Sequence, residues 1–227
     1  MAISYVQRKS KGGTAVTTTV TIDSPPTAGS MLALAVSRNL TLGPLVTSIT
    51  GGGVTTWARA YNSTHTFPYG AYRDSELWYG LNSSGASSDV AITFAVNNFA
   101  TWEVVAAEFS GLMTTETIID VTADPTAYWA ITGNPSVPIT PTAGSNYLLL
   151  ATAGSAVSIS PTTGTFTDIG SGGCGFGYQI VSAASGTYTA TWTGAAYQRW
   201  TAGAASFKEP ASGSKYFFGR FIAGRRA

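Results

Sequence analysis

The chain has 227 residues, of which 10% are charged and 44% hydrophobic, and its net charge is +1. So balanced a charge gives no global field toward nucleic acid or an anionic membrane, and the single cysteine, Cys174, excludes an internal disulfide framework. No apolar run approaches the roughly 20 residues that cross a bilayer as a helix, and Met1 to Ser10 lacks the apolar core of an export signal, so a soluble chain made without Sec export is expected.

Along the chain, short stretches rich in Val, Ile, Thr and aromatics alternate apolar with polar and are separated by Gly, Pro, Ser and Asn clusters. This pattern predicts strands joined by turns, with no amphipathic helix. Thr27-Ala28-Gly29-Ser30 opens a strand over Met31 to Val36, with Leu32, Leu34 and Val36 on one face. The stretch from Tyr61 to Arg73 gathers Tyr61, His65, Phe67, Tyr69 and Tyr72 in what reads as a loop. Exposing so many rings is costly unless something covers them, so these residues form a candidate ligand or partner loop. Asp74 and Glu76 follow on a shared face and read as solvated edge charges before they read as a pair for sugar hydroxyls or a cation.

Val90, Ile92 and Phe94 predict a further strand. Glu103 and Glu108, five apart in the next one, point to opposite faces, which denies them the paired-acid geometry of a glycosidase. Thr122 to Pro135, with Asp124-Pro125 and Asn134-Pro135, reads as a crossover between two halves. Cys174 lies in a Gly-rich stretch without the Lys-Ser/Thr of a phosphate loop, and reads as part of a turn feeding a strand. His65 is the only histidine, which excludes a His-rich zinc site. The glycosylation-type triplets at Asn39, Asn62 and Asn82 read as coincidence in a Ser/Thr-rich chain. No catalytic set, metal site or cofactor motif is expected.

An internal repeat organises these elements. Thr27-Ala28-Gly29-Ser30 and its strand recur as Thr142-Ala143-Gly144-Ser145 followed by Asn146 to Ala151, an offset of 115. Val20-Thr21-Ile22 recurs as Val137-Pro138-Ile139. Val90, Ile92 and Phe94 match Tyr188, Ala190 and Trp192, Trp102 matches Trp200, and Ala107-Glu108-Phe109 matches Ala205-Ser206-Phe207, all at an offset of 98. Near Trp78 and Tyr178 the offset is about 100, which leaves roughly 15 extra residues in the first half. The expected fold is a single all-β, two-sheet sandwich over residues 1–210, formed by pseudo-repeats at 14–121 and 135–210 over one common core. Trp102, Trp192 and Trp200 are assigned to that core, whereas Trp57, Trp78 and Trp129 are left unassigned.

Residues 211–227 form an apolar and basic tail holding +4, which leaves about −3 for the rest of the chain. Phe217, Phe218 and Phe221 suit docking anchors, with Arg220, Arg225 and Arg226 pairing acids at the rim. Nucleic-acid binding is the less favoured reading of so small a basic cluster.

The sequence resembles a broad group of jelly-roll-type domains found in tailed-phage virion proteins and in bacterial surface or secreted proteins. The resemblance is carried by Pro25 to Ser30 with its apolar strand, Thr56-Trp57, Glu76-Leu77-Trp78-Tyr79, Ala107 to Gly111 and Ala204 to Pro210, and it covers about residues 3–210. It implies a jelly-roll-like, non-enzymatic component of a virion assembled in the host cytoplasm, such as a head decoration, tail or fibre protein. The partners it implies are copies of itself, as a trimer by analogy, and other virion proteins such as capsid or tail, with neither nucleic acid nor membrane. The alternative is a carbohydrate-binding module attaching to glycans through the aromatic loop.

Overall fold

The computed structural model describes residues 2–40, 46–62, 72–81, 83–94, 101–112, 119–123, 134–155, 157–161, 166–194 and 200–209. Among these there are sixteen strands. The first eight are β1 (Ser4–Gly13), β2 (Thr17–Thr21), β3 (Met31–Leu40), β4 (Val46–Gly51), β5 (Trp57–Asn62), β6 (Tyr72–Gly80), β7 (Asp89–Phe94) and β8 (Trp102–Ser110). The second eight are β9 (Ile119–Ala123), β10 (Ser136–Ile139), β11 (Tyr147–Ser155), β12 (Ser160–Pro161), β13 (Thr167–Asp168), β14 (Cys174–Val181), β15 (Tyr188–Thr193) and β16 (Trp200–Lys208).

They pair into four antiparallel sheets. The first half makes a five-stranded sheet, β1-β8-β3-β6-β5, and a three-stranded one, β2-β7-β4. The second makes β9-β16-β11-β14-β13 and β10-β15-β12. Adding eight to each strand number of the first half reproduces the order of the second. β1 thus precedes residue 14 yet belongs to the first half's sheet, whereas β9 hydrogen-bonds to β16 rather than to any strand before it.

The expectation of an all-β sandwich holds, with finer layering than the two sheets over one interior read from sequence. Three apolar interiors lie between four sheets. Leu32, Leu34, Val36, Val104 and Ala106 face Val90, Ile92 and Phe94 of the first three-stranded sheet. Tyr147, Leu149, Ala151, Ala202 and Ala204 do the same against Val137, Ile139, Ala190 and Trp192 in the second half. The other faces of the two five-stranded sheets meet each other through Ala33, Ala35, Val105, Ala107 and Phe109 on one side and Leu148, Leu150, Phe176, Ala205 and Phe207 on the other. The physical reason is on the page of the sequence: Met31 to Val36 and Tyr147 to Ala151 are continuous apolar runs, and a strand buried on both faces needs no alternation.

This middle interface repeats itself. Tyr79 of β6 meets Phe207 of β16 edge-on, with ring centroids 5.3 Å apart at 68°. Tyr178 of β14 meets Phe109 of β8 at 5.5 Å and 65°. Element and counterpart exchange roles, as in an isologous dimer contact, but within one chain. Tyr79, not Trp78, is therefore the counterpart of Tyr178, because a one-residue slip would turn the ring to the other face.

Exposed edges are blunted. Four of the eight edge strands, β1, β4, β5 and β9, carry a register irregularity, near Tyr5/Gln7, Val46/Ser48, Arg59/Tyr61 and opposite Ala205/Phe207 respectively. Bulges of this kind twist an edge away from further pairing. Among the described residues no helix is long and apolar enough to cross a membrane.

Close approach of the halves depends on Gly203, where a Cβ would run into the Tyr61 ring. Gly203→Ala is expected to cost about 1–3 kcal/mol in chemical denaturation, and Tyr61→Leu in the same chain to recover part of that loss.

Candidate functional site

Of the aromatic stretch singled out in the sequence, Tyr61 lies at the end of β5 and is buried, packed into the interface between the halves against Gly203. It is a packing residue and not part of a ligand loop; the bulge at Arg59/Tyr61 turns its ring inward. Tyr72 begins β6, opposite Leu40. His65, Phe67 and Tyr69, and all of the tail with Phe217, Phe218, Arg220, Phe221, Arg225 and Arg226, lie outside the described residues. Trp102, Trp192 and Trp200 are buried, in agreement with their assignment to the core.

The charges read as solvated at a sheet edge are instead interior. Asp74 is 4% exposed and Glu76 is fully buried, and both sit on the inner face of β6 together with Trp78. Arg38 stands directly across from Asp74 in β3, also buried, with its guanidinium carbon 5.1 Å from the Phe94 ring centroid. Burial pulls the Arg38 guanidinium below its ordinary value. Sequence reading missed this because Asp74 and Glu76 follow a stretch read as a loop; the signal was Arg38 continuing the inward phase of Leu32, Leu34 and Val36.

Glu76 organises the neighbouring surface. One carboxylate oxygen accepts from Trp78 Nε1 at 2.7 Å and the other from Arg59 Nη1 at 3.2 Å. The Arg59 guanidinium carbon lies 5.4 Å from the Trp78 ring centroid. Arg59 and the partly buried Trp57 stand two residues apart on β5; the three-stranded sheet ends at β4, whose Gly51 carbonyl accepts from Trp57 Nε1 at 3.4 Å, and Arg59 is exposed. The result is a shelf of two indoles and a guanidinium held by one buried carboxylate.

Among the described residues the second half has no such shelf. The inner face of β14 carries Gly175, Gly177 and Gln179, and the indole of Trp192 occupies the space above Gly175, where a Cβ would meet its Nε1 at 2.6 Å.

Other acids serve the scaffold. Glu103 and Glu108 face opposite sides, as their spacing requires. Glu103 accepts from the Cys174 backbone N–H at 2.8 Å across the middle interface. Glu108 accepts from the Thr27 N–H and from Gln7 Nε2, both at 2.7 Å. At the equivalent turn, the Thr142 N–H and hydroxyl donate to Asp120 of β9 at 2.7 and 2.8 Å. Gly29 and Gly144 take φ of +84° and +86°, which favours glycine, and their N–H groups reach Ser83 O and Ala184 O. Among the described residues no group of three or more His, Cys, Asp or Glu is placed to hold a metal ion.

A groove of about 640 Å³ opens on the other side of the first half, along β1 and β2, lined by Lys11, Gly13, Thr17, Thr19, Thr93 and Trp102. Lys11 Nζ already donates to the Thr19 carbonyl there.

Comparison with family models, with curated proteins and with solved structures finds no match.

Two outcomes follow for these carboxylates. Burial opposes ionisation of Asp120, but the Thr142 backbone and hydroxyl, Tyr147 and Lys208 outweigh it and hold its pKa below the ordinary 3.8. Between those two values the unfolded chain binds the extra proton, so this contribution is complete above pH 3.8 and is lost as the pH falls through the folded value. Denaturation midpoints between pH 2 and 5 should therefore fall less steeply for Asp120→Asn than for the parent. Glu76→Ala, which strands Arg59 and the Trp78 N–H, should destabilise by about 2–4 kcal/mol, and a loss below about 0.5 kcal/mol would show that the carboxylate organises nothing.

Proposed function

We propose that this chain is a non-enzymatic structural protein of a tailed-phage virion, a head decoration or a tail or fibre component, that works by self-association and docking. The observation that carries this reading is the strand order. In each half the strands β1-β8-β3-β6 and β2-β7-β4, with their counterparts, alternate between layers, an order that supports a jelly-roll-like reading while β5 and β13 join the five-stranded sheets. Two such windings locked together through a self-complementary apolar interface make a rigid block suited to load and display.

The disposition of the acids supports a non-catalytic role: Glu76, Glu103, Glu108 and Asp120 all hold named partners of the scaffold and none is paired across a cleft. The low charge and hydroxyl-rich composition suit a surface that packs against copies of itself, with a trimer as the favoured assembly, located in the virion and needing no cofactor. In this reading the tail from 211 to 227 supplies the docking anchors.

Deleting 211–227 is expected to leave circular dichroism and thermal unfolding unchanged while abolishing incorporation into particles. Size measured in solution, with and without the tail, should show an oligomer that depends on it. Normal incorporation of the truncated protein would remove the tail from the proposal, and a strictly monomeric full chain absent from particles would reject the structural role.

A further inference from the structure

We propose that the shelf formed by Trp57, Arg59, Glu76 and Trp78 on the β5–β6 edge is a binding site for a pyranose ring of a neutral glycan. This goes beyond the structural role above and stands without it.

The first argument is asymmetry. Both halves follow one strand order, so whatever the fold itself requires should be present twice. Among the described residues the shelf occurs once, and the second half has glycines on β14 and the Trp192 indole above Gly175. The second argument is position. β5 is an edge strand of the five-stranded sheet, and there the Arg59 side chain is 37% exposed beside two partly buried indoles, with Trp57 tied to the Gly51 carbonyl of β4. The third is preorganisation. Glu76, with no exposure of its own, fixes the Trp78 indole through one oxygen and Arg59 through the other, on rigid strands rather than a loop.

The chemistry of the shelf selects the ligand. A flat indole buries the apolar C–H face of a hexose, and a guanidinium offers several N–H donors to ring and hydroxyl oxygens. Arg59 commits Nη1 to Glu76 and lies over the Trp78 ring. Its charge is balanced by the Glu76 carboxylate, so the site carries no net attraction for phosphate or for a carboxylated sugar. The charge of about −3 outside the tail disfavours nucleic acid in the same way.

The test uses the full chain on an array of neutral and acidic glycans, followed by titration of tryptophan fluorescence with the neutral oligosaccharides that bind. At least one neutral glycan is expected to bind with Kd of about 1 mM or tighter. Arg59→Ala and Trp57→Ala should each weaken it about tenfold or more, while Thr189→Ala on the second half leaves it unchanged. Arg59→Lys keeps the charge beside Glu76 but loses the planar fork, and should weaken binding with unaltered thermal unfolding, which separates recognition from folding. Absence of neutral-glycan binding, binding only to acidic glycans or nucleic acid, or full binding by folded Arg59→Lys and Trp57→Ala would each overturn the site. Incorporation of the Arg59→Lys chain into particles is unaffected in either case, so failure here is distinguishable from failure of the structural role.

Discussion

The central strands β3, β8, β11 and β16 have apolar neighbours on both faces, and this obliges the two five-stranded sheets to cover each other. Alanines at 33, 35, 107 and 205 and the bare backbone of Gly203 let the sheets approach, while Phe109, Phe176, Phe207 and Leu77 fill the space left between them. Fully burying one such side chain contributes about 1.5–3 kcal/mol, so a handful in this one layer matches the net stability of an ordinary domain. The aromatic pairs Tyr79–Phe207 and Tyr178–Phe109 fix lateral register, since sliding one sheet along the other would break both at once. Everything outside this layer, including the two thinner sheets, is placed by reference to it.

The halves are alike in order but not in register. Leu32 stands opposite Glu108, whereas its counterpart Tyr147 stands opposite Lys208, two residues beyond Ser206. An even slip keeps every side chain on its own face, so the apolar layers survive it. What the slip displaces is the group that accepts the N–H of the Thr-Ala-Gly-Ser turn. In the first half Glu108 of the central β8 reaches Thr27, and in the second the edge strand β9 supplies Asp120 to Thr142. The equivalent turn donor finds a carboxylate in both places, and each half supplies it from whichever strand lies within reach.

Much of the fold was legible because it rests on local rules. The Thr-Ala-Gly-Ser turns, the alternating strands around Val90 and Tyr188, and the opposed faces of Glu103 and Glu108 follow from period and turn chemistry alone. The count of layers was not, because a run such as Tyr147 to Ala151 reveals burial on both faces without saying which sheet lies on each. Tyr61 was misplaced for a related reason: it ends a strand whose bulge turns it inward, and a bulge leaves no mark in composition. The shelf was half visible, since Asp74 and Glu76 were seen to share a face, but its partner Arg59 comes from β5, whose bulged register with β6 composition does not reveal.

The interior charges of the first half bear on why the shelf is there. Burying Arg38, Asp74 and Glu76 carries a desolvation penalty that pairing only partly offsets, and well-packed apolar residues at such places are often as stable or more so. The second half demonstrates the apolar solution on the same strand order, with Ala153, Gly175 and Trp192 in its core and β14. The winding therefore does not need these charges. Their concentration in one half, next to two partly buried indoles and the exposed Arg59, marks the place where something other than packing set the choice of residues.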